Sequence, residues 1–214
     1  MSAAPTPAFL YPVMLDLTGR PCLVVGGGAV AERKVEGLLA AGARVTVVSP
    51  GLSDGLLASA SEGRLHWTPR GYRAGDVAGF SLVMVATNDP AVNLDVAREA
   101  RERGVWVNCA DDPARCDFTL PSVLRRGSLT VSVSTGGVSP ALARVVREEL
   151  EGLLPPDYAD LAAIVADVRR SLRARDAAPA WDAWRDALGP DVRALIASGR
   201  TDEARTKLLK TFGA

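Results

Sequence analysis

Through the first 110 positions, short apolar runs alternate with longer stretches whose apolar residues recur every three or four positions. This is the alternation of strand and helix that builds a parallel sheet. The runs Cys22–Val25, Val45–Val48, Leu65–Thr68, Leu82–Ala86 and Val105–Asn108 predict five strands, and the stretches Ala29–Ala41, Ser53–Glu62 and Pro90–Arg103 predict helices between them. Gly42 and Gly104 stand where helix-ending glycines belong. The expected fold class is α/β with a doubly wound, Rossmann-type parallel sheet. Ligands of such sheets bind just past the carboxyl ends of the strands.

The pattern then changes. From Leu129 to Ser134 it alternates strictly, with Leu129, Val131 and Val133 on one side and Thr130, Ser132 and Ser134 on the other, which predicts a single half-buried strand. Ser139 reads as an N-cap with Pro140 at the first helical position, and that helix should end at Pro155-Pro156. Leu161, Ile164, Val165, Val168 and Leu172 mark another amphipathic helix, and shorter helices are expected over Trp181–Leu188, Val192–Ser198 and Thr201–Leu209. The last third is thus helical, with a flexible joint expected at Ala174–Ala180.

At 48% hydrophobic and 23% charged, the 214 residues can bury a sizeable core. Twenty-five basic residues balance twenty-five acidic ones, so no global field draws the chain to nucleic acid or to an anionic membrane. Among the cations only Lys34, Lys207 and Lys210 are lysines. Arginine suits bidentate binding of carboxylate or phosphate, and codon bias equally accounts for the excess. Cys22, Cys109 and Cys116 form no CxxC pair and leave an odd count, so neither a disulfide framework nor a zinc site is indicated, and a cytoplasmic location is expected. Met1–Pro12 lacks the features of a signal peptide and no run reaches about 18 apolar residues, so neither secretion nor a membrane span is expected.

The densest chemistry falls after the strands. Gly26-Gly27-Gly28-Ala29-Val30-Ala31 follows the first strand and fits G-x-G-x-x-A: Gly26 permits the tight turn, Gly28 lets backbone approach a pyrophosphate, and Ala31 lets helix pack closely on strand. Backbone N–H groups at the helix start would then hold the phosphates of a dinucleotide. The acidic residue expected at the end of the second strand, which would bind the adenosine ribose, is missing from Val47-Val48-Ser49-Pro50-Gly51. Ser49 or backbone must hold the ribose, and the choice between NAD and NADP stays open. Thr87 and Asn88, after the fourth strand, are expected to line the adenosine or nicotinamide end. After the fifth strand come Asp111 and Asp112; adjacent carboxylates raise one another's pKa, and one at the sheet's carboxyl edge can serve as a general base. Asp112 precedes proline and can serve simply to shape a turn, whereas Asp111 stands closest to the strand end where the nicotinamide would lie and is the stronger of the two candidates. His66, the only histidine, reads as structural, and Cys109 and Cys116 read as small buried side chains rather than iron ligands.

These motifs together resemble the precorrin-2 dehydrogenase/sirohydrochlorin ferrochelatase family. The resemblance rests on Gly26-Gly27-Gly28-x-Val30-Ala31-x-Arg33-Lys34, on Ala86-Thr87-Asn88-Asp89, and on Asn108-x-x-Asp111-Asp112 with Cys116-Asp117-Phe118 and Pro121. It extends to Ser134-Thr135-Gly136-Gly137-x-Ser139-Pro140-Ala141 ahead of Arg144, Arg147 and Glu148. It is collinear from about Tyr11 to Leu154 and leaves no length for the methyltransferase module of the fused members. It implies an NAD-binding Rossmann domain over residues 1–117, a small α+β dimerisation segment over 118–154 that exchanges strands in a homodimer, and a helical C-terminal domain over 155–214. It implies dehydrogenation of precorrin-2 to sirohydrochlorin with NAD, and in many members insertion of ferrous iron, with no resident metal. The family's essential aspartate falls on Asp111, its serine before two glycines on Thr135, and its dinucleotide contacts on Ala29, Val30, Ser49 and Pro50. The substrate is a tetrapyrrole bearing eight carboxylates, for which Arg115 and Arg144, with Arg125 and Arg126, are candidate partners. The competing expectation is a non-catalytic NAD(H)-sensing Rossmann module, to which the Asp111–Phe118 segment would be superfluous.

Overall fold

The computed structural model describes residues 10–110 and 112–213, which divide into two compact units meeting in sequence at Leu120 and Pro121. In the first unit β1 (Pro21–Val25), β2 (Arg44–Val48), β3 (His66–Thr68), β4 (Leu82–Val85) and β5 (Trp106–Cys109) form one parallel sheet in the order β3-β2-β1-β4-β5. Helices α1 (Ala29–Ala40), α2 (Asp54–Ser61) and α3 (Pro90–Glu102) supply crossovers. The α/β Rossmann-type expectation therefore holds. The strand order reverses between β1 and β4, and in a sheet of this kind the ligand cleft opens at that reversal, beyond the carboxyl ends.

Burial on both faces explains the unbroken apolar runs. Along β1, Cys22 and Val24 pack with Ala31, Val35 and Leu38 of α1, while Leu23 and Val25 pack with Val96, Ala97 and Ala100 of α3. Asp89 caps α3 by accepting from the Ala91 and Val92 amides, with Pro90 at the first helical position. His66 stands exposed on β3.

The loop between β3 and β4 is tied to α3 by one buried carboxylate. Glu99 accepts from the Tyr72 hydroxyl, from the Gly75 amide at 3.0 Å and from Arg103 at 2.7 Å, and Arg70 grips Asp76 with both guanidinium nitrogens at 2.7 and 2.8 Å. Burial pushes the Glu99 carboxyl up, but the three donors together outweigh it and hold the carboxyl below its usual range. A folded-state pKa depressed in this way stabilises the fold above the unfolded value and stops doing so as pH falls through the folded one. Glu99→Gln is thus expected to cost about 1–3 kcal/mol at neutral pH, and the gap in melting temperature to the parent should close on acidification through the carboxylate range. A gap that does not change with pH would show that the charge contributes nothing.

The second unit opens with a feature that departs from expectation. The alternating segment is not a lone strand: β6 (Ser122–Arg126) pairs antiparallel with β7 (Leu129–Val133), Ser122 opposite Val133 and Arg126 opposite Leu129. The two-residue Gly127-Ser128 turn, with Gly127 at φ +56°, was the legible hairpin signal, but Ser122–Arg126 carries only two apolar residues and shows no clear alternation. Residue 159 lies so close to this turn that a Cβ on Gly127 would stand 3.3 Å from it. Next come α4 (Pro140–Leu153), capped by Ser139 through the Leu142 amide, and α5 (Tyr158–Arg173), α6 (Trp181–Ala187), α7 (Pro190–Ala197) and α8 (Thr201–Thr211). Ile164, Val168, Leu172, Val192, Ile196 and Leu208 form the core of these last four helices. The expected joint at 174–180 is a turn within that core, since Ala177 packs against it and its amide donates to the Leu172 carbonyl. Among the described residues no helix is long and apolar enough to cross a membrane.

Candidate functional site

At the end of β1 the chain turns on three glycines that meet three different surroundings. Gly26 sits at φ +121°, and a Cβ there would stand 2.2 Å from the Ala86 carbonyl oxygen, so the β1 and β4 ends approach as closely as backbone allows. A Cβ on Gly27 would stand 2.0 Å from the Gly51 carbonyl oxygen and 2.6 Å from the Ser49 hydroxyl, because the loop after β2 lies directly on it; the Ser53 amide donates to the Gly27 carbonyl at 2.7 Å. Gly28 is different. It is the N-cap of α1, and nothing lies within 4 Å of where its Cβ would be.

The bare glycine at this point leaves the start of α1 open. No side chain caps the helix, so the first turn's amides and the positive end of its dipole face a space at the sheet's reversal point. Ala29 and Val30 are exposed beside it. Such a helix start can hold an anionic diphosphate by backbone alone, and the residues present fit a dinucleotide there.

The residues expected around the glycine turn are gathered at this edge. Ser49 is buried, its hydroxyl donating to the Gly51 carbonyl at 2.7 Å and its carbonyl accepting from the Trp67 indole at 3.0 Å, while Pro50 is exposed. Thr87 commits its hydroxyl to its own loop, donating to Asn93 at 2.6 Å and accepting from the Asp89 amide at 3.1 Å; Asn88 is exposed. The loop after β2 carries no arginine, and the carboxylate beside it is Glu32 of α1, which accepts from the Ser53 hydroxyl.

Beyond β5 the chain folds back on the strand it has just left. Asp117 returns to Val107, its amide donating to the Val107 carbonyl at 2.8 Å and its carboxylate accepting from the Val107 amide at 3.0 Å. Cys116 Sγ accepts from the Cys109 amide at 3.2 Å, and its thiol lies 3.2 Å from the Cys109 carbonyl oxygen. Burial pushes the Cys109 thiol up to about 11 and raises Cys116 as well, so both stay protonated at neutral pH, which suits small buried side chains rather than thiolate ligands. Asp112 begins a short 3-10 turn over Pro113–Arg115 and forms an ion pair with Arg115. Asp111, the expected base, lies outside the described residues.

Thr135 and Arg144 belong to the second unit. The Thr135 hydroxyl accepts from the Ser139 amide at 3.0 Å and closes the glycine turn ahead of α4, and Arg144 pairs with Glu148 at 2.9 Å on an exposed face. Two residues of the first unit escaped the reading of roles from sequence. Lys34 of α1 donates to the Asn108 side-chain oxygen at 2.7 Å, and Trp67 holds the Ser49 carbonyl. Lys34 had a signal, because it stands three residues after buried Ala31, at the border of the helix face that meets the sheet, where a charge is costly. Trp67 had none in its local sequence.

Comparison with known proteins adds relatives to this geometry. The family described as putative NAD(P)-binding matches residues 13–122, and that described as sirohaem biosynthesis protein central matches 126–153. The chain is 41% identical over 196 residues to the siroheme synthase of Methylobacillus flagellatus, covering 91% of this chain and 42% of that one. It is 43% identical over 204 residues to the siroheme synthase of Thioalkalivibrio sulfidiphilus, covering 94% and 42%. The chain thus spans less than half the length of these curated relatives. Among solved structures, SirC, precorrin-2 dehydrogenase, superposes with a TM-score of 0.78 at 28% identity, covering 94% of this chain and all of that one.

Proposed function

The chain belongs to the putative NAD(P)-binding family, and on that premise we propose that it is an NAD-dependent dehydrogenase converting precorrin-2 to sirohydrochlorin. The observation that carries the reading is the open, uncapped helix start behind Gly28, on a chain that resembles SirC, precorrin-2 dehydrogenase, over 94% of its length. NAD, when bound, supplies the hydride acceptor. The residues of this chain do the rest. The backbone of Gly26 and Gly28 and the amides of Ala29 and Val30 hold the diphosphate, the Ser49-Pro50 loop takes the adenosine ribose, and Thr87 and Asn88 line the same edge. Glu32 beside that loop, with no arginine in it, favours the unphosphorylated ribose of NAD over NADP. Asp111 takes the proton that leaves with the hydride, and Arg115, Thr135 and Arg144 are the residues of this chain that receive the tetrapyrrole's carboxylates.

We also propose that the product accepts ferrous iron on this protein, the metal being a substrate, and that the protein works as a cytoplasmic homodimer. Three free thiols accord with a reducing compartment. One face of α4 leaves Leu142, Val145 and Leu153 exposed by 52, 49 and 71%, an apolar stripe suited to a second copy. Leu142→Asp with Val145→Asp is expected to halve the mass measured by light scattering; an unchanged mass would remove α4 from the interface.

The deciding assay gives purified protein precorrin-2 with NAD, then ferrous iron, and follows tetrapyrrole absorbance. Sirohydrochlorin formed only with NAD supports the dehydrogenase, and a second spectral change on adding iron supports chelation. Tight NADH binding without any turnover would establish the alternative, a nucleotide-sensing module.

A further inference from the structure

We infer that Lys34 is a positioning residue for the dehydrogenation: through the amide of Asn108 it latches the returning segment 116–118 onto β5 and so fixes the chain on either side of the Asp111–Arg115 sequence. The inference rests on the dehydrogenase reading above. Its basis is a bridge between α1 and β5, 74 residues apart in the chain. Asn108 is only 6% exposed. Its Oδ1 accepts from Lys34 Nζ at 2.7 Å, and its Nδ2 donates to the Phe118 carbonyl at 2.9 Å and faces Cys116 Sγ at 3.6 Å.

The chemistry of the two groups makes this bridge directional. An ammonium group only donates, so it can be satisfied by the oxygen end of the amide alone, and it thereby turns the nitrogen end toward the returning segment. With Asp117 on Val107 and Cys116 on Cys109, three consecutive residues of β5 each hold one of the three residues 116–118. The two ends of the intervening stretch, Cys109 and Cys116, are thereby held against each other. A half-buried lysine is a poor way to gain stability, since an apolar side chain in its place carries no desolvation cost. Its bond to Asn108 fixes one amide orientation and with it the seat of segment 116–118, and displacement of a reacting group by about 1 Å can cost about a hundredfold in rate.

The test uses the full chain with NAD and precorrin-2, comparing the parent with Lys34→Met, Lys34→Arg and Asn108→Asp. Lys34→Met is expected to lower kcat by roughly 10- to 100-fold with KM for NAD within about twofold. Maleimide labelling located by mass spectrometry should quicken at Cys116 and stay slow at Cys22. Lys34→Arg, which keeps a donor, should recover most of kcat. Asn108→Asp keeps the acceptor for Lys34 but loses the nitrogen, and should match Lys34→Met, which also decides the matter where Lys34→Met does not fold. Parental kcat in Asn108→Asp or Lys34→Met overturns the inference alone, as does a loss that Lys34→Arg fails to restore and that appears equally in KM for NAD. A parent chain inert toward precorrin-2 overturns the dehydrogenase reading, and this role with it.

Discussion

Asp111→Asn is expected to reduce kcat for precorrin-2 oxidation by about 10²- to 10⁴-fold, the usual contribution of a positioned general base, while leaving NAD affinity unchanged. The substitution keeps size and polarity but removes the carboxylate proposed to take up the proton. Asp112 is the only rival carboxylate next to it in the chain, and its carboxylate is tied to Arg115 in an ion pair at the start of the 3-10 turn. Asp112→Asn should therefore change kcat far less than Asp111→Asn does. Steady-state turnover together with NADH fluorescence titration separates the two quantities. Undiminished turnover in Asp111→Asn, or an equal loss in both variants, would withdraw the base from position 111.

The second large effect divides the glycine turn into a structural part and a binding part. Gly28→Ala is expected to lower the melting temperature by a few degrees at most, because Gly28 has φ −89° and open space where the new methyl would go, and what is lost is the roughly 1 kcal/mol by which glycine is preferred to alanine at an N-cap. On the proposed binding mode the same methyl would stand where the diphosphate approaches backbone, so NAD affinity should fall by roughly 100-fold or more. Gly26→Ala should behave oppositely in its first readout. At φ +121°, with the Ala86 carbonyl 2.2 Å from the new Cβ, it forces the β1 and β4 ends apart at a cost of about 3 kcal/mol or more, which corresponds to roughly 6–12 °C in melting temperature for a chain of this size. Calorimetry with and without NAD distinguishes the cases. A Gly28→Ala variant that binds NAD normally would show that the helix start is not the phosphate site.

Much of the sheet was legible because its strands are buried on both faces: a residue such as Val24 or Val83 has no solvent side, so the run is apolar throughout and periodicity is not needed to find it. The glycine turn was legible for a related reason, since only glycine tolerates the contacts found at Gly26 and Gly27. Strand β6 was not legible, because Ser122–Arg126 acquires its strand character from pairing with β7 rather than from its own pattern. The joint expected at 174–180 does separate α5 from α6, but that it is packed was not legible: an alanine-rich stretch looks like a linker until Ala177 is seen to lie against a core contributed by helices on both sides.

At the candidate site, residue types were visible and their engagements were not. The sequence by itself determined a parallel α/β sheet, a backbone turn open to a diphosphate and a pair of aspartates after the fifth strand, since each follows from residues adjacent in the chain. Only the tertiary structure decided that Ser49 and Thr87 turn their hydroxyls into their own loops, that Arg115 is paired with Asp112, and that Lys34 reaches Asn108. Side-chain hydrogen bonds form at distances of about 3 Å between groups that sequence can place tens of residues apart. Which of several possible partners each group takes is settled by how the helices pack on the sheet.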